Sequence, residues 1–139
     1  MRLWHQSLLP YLDRQHLLGQ HRECCALRGK GWGRSHSVVN YVFNYDPAYL
    51  VVYHYCVMEE MERRGYHPDR TWNNPDWRGF ALEEQPNFTI HSFVDGLWAD
   101  VNQMQRIIYP EHNREYLNEC IALLKEKASP MDWALVDLL

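Results

Sequence analysis

The stretch YLDRQHLLGQHREC, residues 11–24, carries side chains suited to acid–base work, hydrogen bonding and phosphate contact: Gln15, His16, Arg22 and Glu23. At 100° per residue these four lie, together with Leu12 and Gly19, within a sector of about 120°. Leu17, Leu18, Cys24 and Cys25 fall on the opposite half. A helix here buries one half and offers the other to water or to a ligand. Two features point to a ligand. Gly19 inside a helix costs about 1 kcal/mol relative to Ala, which suggests a close approach there. Arg22 beside Glu23 sets a phosphate ligand next to a carboxylate.

A second candidate is RGKGWGR, residues 28–34, with Arg28, Lys30, Arg34 and Trp32 among three glycines. Backbone N–H groups of such a loop can cradle phosphate, and the Trp can stack or wedge at a base step. Walker spacing is absent, and an ordinary surface loop fits the same residues. His36 is close enough in sequence to reach the same cleft. His5, His16 and His21 show no metal-ligand spacing, and His54 reads as a hydrogen-bonded core histidine.

The elements that must position these residues read as helices. Pro10 suits a first helical position, so the first helix is expected from about residue 10 to 28, ended by GKGWG at 29–33. A second opens with Asp46 as cap and Pro47 in the first turn, and closes at Gly65. Leu50, His54, Val57 and Met61 form its buried face. Residues 66–88 read as irregular connection. Residues 89–108 are ambiguous: DGLWADVNQMQRII, 95–108, fits a helix with Leu97, Val101 and Met104 inward, broken near Gly96. A last helix spans about 113–128, with Leu117, Cys120, Ile121 and Leu124 inward and Pro130 beyond. Only SVVNYVF, 37–43, suggests a strand. The expectation is an all-α, compact single domain of three main helices with irregular connections.

Length, composition and charge bound the rest. A chain of 139 residues with 46% hydrophobic and 23% charged residues suits one domain. No apolar run is long enough for a bilayer span or a signal peptide, so a cytoplasmic protein with no membrane partner is expected. Cys24, Cys25, Cys56 and Cys120 form no C-x-x-C pair and are expected as free thiols, with no metal site. The net charge of −4 is unevenly placed. Residues 1–45 carry +4, residues 46–139 carry −8, and no acid lies between Glu23 and Asp46. Such segregation suits a face turned to a polyanion.

DRQHLLGQHRE resembles the helix of the phage-type endonuclease V family, the pyrimidine-dimer DNA glycosylases, with their pattern D-Q-H-L-x-x-x-x-R-E. Three further segments are similar in the same order. They are NYDPAYLVVYHYCVMEEMERRGY, then WRG at 77–79, then YPEHNREYLNECIALLKEK with PMDW behind it. The resemblance covers about 1–79 and 106–133, leaving roughly 82–105 as an insertion. It implies a helical domain whose nucleophile is the amine of the first residue. That amine attacks the sugar carbon of a damaged nucleotide, forms an imine and releases the base, and strand cleavage by elimination follows. By the same resemblance Glu23 manages protons, Arg2 and Arg22 grip phosphates, Gln15 and His16 order the site, and Lys127 matches a basic position. Arg28, Lys30, Trp32 and Arg34 extend the DNA contact. Damaged double-stranded DNA is the implied partner, with no cofactor, no metal and no obligate protein partner. Tyr109, Glu111 and His112 match family residues too, although capping explains them equally well.

The chemistry suits an α-amine. With a pKa of about 7.7–8.0 it is roughly a tenth to a third uncharged near neutral pH, whereas lysine supplies about a thousandth. Removal of an initiator methionine generally needs a small second residue. Arg2 is bulky, so Met1 is expected to stay and to present the amine. Two alternatives remain open from the sequence: a non-catalytic helical nucleic-acid-binding or interaction protein on the same scaffold, and a hydrolase of a small nucleotide in the same pocket.

Overall fold

The computed structural model describes residues 2–34, 38–79, 91–104 and 106–139, apart from the side chains of His91, Ser92 and Met104. Met1, His36, residues 82–90 of the expected insertion and the inward place of Met104 lie outside what is described. Among the described residues the secondary structure is helical, with no strand.

Among the described residues five α-helices follow in order: α1 (Arg14–Arg28), α2 (Pro47–Arg63), α3 (His91–Met104), α4 (Arg114–Glu126) and the short α5 (Trp133–Val136). The first helix does not begin at Pro10. That proline sits inside a 3-10 turn, Gln6–Tyr11, and α1 opens three residues later, where the Asp13 carboxylate accepts the His16 amide. A side-chain acceptor satisfies an orphan amide of the first turn, whereas proline only tolerates the position. In α2 the expected signals hold. Asp46 accepts the Ala48 amide, Pro47 follows, and Gly65 adopts φ +88°. The described part of SVVNYVF, residues 38–43, forms no strand: Asn40–Asn44 is a 3-10 turn.

Beyond the three expected helices, α3 is a fourth long one, and Gly96 lies inside it without a break. Its Val94, Leu97 and Val101 are buried and it packs on α2, so these residues extend the core. One cluster of buried side chains runs from Leu3 to Val136, with α2 at its centre through Leu50, Val51, Tyr53 and Val57. At about 25 cal/mol per Å² of apolar area, such burial is the main stabilising term.

The chain before α1 is held in an unusual way. Leu3 is fully buried and Trp4 and His5 nearly so, yet this segment pairs with no strand. Buried backbone polar groups need partners, and here side chains of three helices supply them. Glu23 and Gln20 come from α1, Tyr53 from α2 and Tyr116 from α4.

Candidate active site

The site is built around residues 2–6. The Arg2 amide donates to Glu23 Oε2 at 2.8 Å, and the Arg2 carbonyl accepts from Gln20 Nε2 at 2.9 Å. Gln20 Oε1 then accepts the Trp4 amide at 2.7 Å and the Tyr53 hydroxyl at 2.9 Å. Tyr116 donates to the Leu3 carbonyl, and Tyr53 also reaches the Trp4 carbonyl. His112 Nδ1 accepts the Gln6 amide at 3.0 Å. The side-chain amide of Gln20 thus imitates a neighbouring strand, and the segment leaves little freedom for the nitrogen held by Glu23.

That nitrogen belongs to Arg2. As a peptide nitrogen its lone pair is delocalised into the carbonyl, so it is no nucleophile.

The Arg2 guanidinium lies against the Trp4 and Tyr116 rings, 5.9 and 5.6 Å from their centroids, and pairs with Glu119 at 3.3 Å. Glu23 is half-buried. His16 is half-buried as well, its Nδ1 at 2.6 Å from Asp13 Oδ1 and its ring edge-on to Trp4. Burial pushes the Asp13 carboxyl up, but hydrogen bonds from Ser129 and His16 outweigh it and hold the group below its ordinary range. His16 is thereby tied to the start of α1. Gln15, Arg22, Lys30, Arg34 and Lys127 are exposed to solvent.

Three expectations need correction. Arg28 is fully buried and contacts no solvent. Its Nη1 donates to His54 Nδ1 and the Trp72 carbonyl, both at 2.9 Å, and its Nη2 donates to the Asn74 carbonyl at 3.0 Å. Burial lowers its pKa to about 10, so it stays charged while tying α1 to α2 and to the 3-10 turn Arg70–Asn73. The second correction concerns the glycines behind it. A Cβ on Gly29 would come within 2.9 Å of the Arg78 carbonyl, and one on Gly31 within 2.8 Å of the Ala26 carbonyl. They let the chain fold closely over the end of α1, where Arg78 donates to the Arg28 and Gly29 carbonyls. Trp32 in the same loop is half-buried, edge-on to Phe43 at 5.0 Å. Third, Gly19 has no tight neighbour. A Cβ there would meet only Arg22 Nη2, at 3.7 Å.

Gln20 was missed by the sequence reading because it falls just outside the polar sector of α1. The signal available was its place at the edge of the polar sector, turned toward the buried half. His54 is fully buried and hydrogen-bonded on both nitrogens, as expected, but its partner at 2.8 Å is His21 of α1. A groove of about 560 Å³ between the Gln6–Tyr11 turn, α2 and α3 contains none of the expected site residues. The Glu23 surface, defined by its hydrogen bonds, is the better candidate. No described helix is long and apolar enough to cross a membrane.

No match to a curated protein or to a solved structure was found. The family model for pyrimidine dimer DNA glycosylases matches residues 1–74, which include the whole segment held by Glu23 and Gln20 as well as α1 and α2. The chain belongs to the pyrimidine dimer DNA glycosylase family.

Proposed function

We propose that this protein is a DNA glycosylase with lyase activity, acting on pyrimidine dimers or a related lesion through an imine formed by its N-terminal α-amine. The observation that supports it is the 2.8 Å hydrogen bond from the Arg2 amide to Glu23. In the sequence, Met1 directly precedes the residue whose amide this carboxylate accepts. Attack of the uncharged amine on the sugar C1′ forms a C–N bond and expels the base, which takes up a proton from the nitrogen; the C1′–O4′ bond then opens, O4′ takes up a proton, and an imine joins C1′ to the nitrogen. Removal of a sugar proton next to the imine then eliminates the 3′ phosphate and cuts the strand. Glu23, whose carboxylate holds the Arg2 amide, is assigned as the proton carrier in both stages. Arg22, Lys30, Arg34 and Lys127 are the exposed cations assigned to phosphates, and Arg2 joins them by exchanging Glu119 for a phosphate. Gln15 and His16 order the near side of the site. Flipping a nucleotide costs a few kcal/mol and least at a damaged pair, which favours lesions.

Borohydride treatment of the protein with an abasic or dimer-containing duplex tests the reading. A covalent adduct mapped by mass spectrometry to the first residue is expected. Salt-sensitive DNA binding without an adduct would instead support the non-catalytic reading. Absence of both would favour the small-nucleotide reading.

A further inference from the structure

His21 and Cys25 lie four residues apart on α1 and therefore on one face, and that face meets His54 of α2. Their donor atoms lie within 4.8 Å of one another. Cys25 Sγ is 4.0 Å from His21 Nδ1 and 3.9 Å from His54 Nε2, and those nitrogens are 2.8 Å apart. We propose that His21, Cys25 and His54 form a binding site for one soft divalent metal ion of the zinc class.

The triangle has the right size. A cation about 2.0 Å from both nitrogens, in the plane of the three atoms, lies about 2.3 Å from the sulfur, and these are the zinc bond lengths to nitrogen and sulfur. The angle between the two nitrogens at the metal is then about 90°, so the rings separate by roughly 0.5 Å to reach tetrahedral geometry. His21 and Cys25 are half-exposed, which gives the ion an entry path and leaves a fourth position for water.

The surroundings account for the protons. Arg28 can only donate, so His54 Nδ1 accepts, and neutral His54 carries its proton on Nε2, facing His21. Metal binding needs the Cys25 thiolate and an unprotonated His54 Nε2, so it releases protons and weakens as pH falls. The Asp69 carboxylate acts on both His21 and Cys25. An ion here would clamp α1 to α2 at the root of the Lys30–Arg34 loop. The site does not depend on the glycosylase reading.

The test is a cobalt(II) titration of tag-free protein, stripped with chelator and kept reduced. The expected result is one equivalent bound with a thiolate-to-cobalt charge-transfer band. That band is absent in Cys25→Ser and kept in Cys56→Ser, and binding is weaker by roughly tenfold or more in His21→Gln. Both ligand substitutions are at half-exposed positions, and circular dichroism checks that the helices remain. Zinc should raise the melting temperature of the wild type and not that of Cys25→Ser. A wild type with no thiolate band, or a band that survives in Cys25→Ser, overturns the proposal.

Discussion

Replacing Gln20 with methionine removes the polar atoms that fix residues 2–4 while keeping the volume and flexibility of the side chain. Three hydrogen bonds disappear: those to the Trp4 amide and the Arg2 carbonyl, and the one from the Tyr53 hydroxyl. They are not equal. Tyr53 keeps the Trp4 carbonyl at 2.6 Å, and the half-exposed Arg2 can offer its carbonyl to water. The buried Trp4 amide has no such recourse, and an orphaned buried donor costs about 1–3 kcal/mol. With a fraction of the other two, the variant should lose about 2–3 kcal/mol in urea titration. Its melting temperature should fall by roughly 10 °C, at about 3–5 °C per kcal/mol for a chain of this size. The decisive measurement is the borohydride-trapping rate at a temperature where the variant remains folded. With residues 2–4 released, trapping should fall at least tenfold while DNA affinity changes little. A variant of wild-type stability would refute the hydrogen-bond accounting. One that is destabilised yet traps at the full rate would refute the positioning role of Gln20.

Other outcomes follow from the same geometry. Glu23→Gln keeps an acceptor for the Arg2 amide, so the fold should persist and DNA affinity stay within a few-fold. Strand cleavage should drop by about 100-fold or more, and unchanged cleavage would refute the role of Glu23 as proton carrier. Glu119→Gln releases Arg2 from an exposed pair worth about 0.2–1 kcal/mol, so anisotropy titrations should show DNA binding up to about fivefold tighter at low salt, with the gain lost at high salt. Burial, and secondarily His5, lowers the His112 pKa to about 3. Its unfolded value is about 6.5, so between these values the unfolded chain binds a proton that the native one does not. Stability should therefore be full above about pH 6.5 and fall on acidification, by about 3 kcal/mol near pH 4.5 from this residue. Urea melts of His112→Gln should show that much less pH dependence. An unchanged slope would assign it to other groups.

The amino-acid order alone determined the helices with strong local signals. Asp46, Pro47 and Gly65 bound α2 whatever surrounds it, because capping and left-handed backbone are satisfied within a few residues. The polar sector of α1 was legible for the same reason, since periodicity along one helix fixes which residues share a side. Periodicity does not say which partner waits across a gap. Arg28 reads as a phosphate ligand until the fold surrounds it with His54, Trp72 and Asn74, three groups from distant segments. Gln20 reads as one polar residue among many until the chain before α1 runs beside it and needs a donor and an acceptor at once. His21 and Cys25 acquire a third donor only because α2 crosses α1 at His54. Each of these depends on the register between two elements, and that register is set by how the buried faces of α1, α2 and α4 interlock around Leu3 and Tyr53.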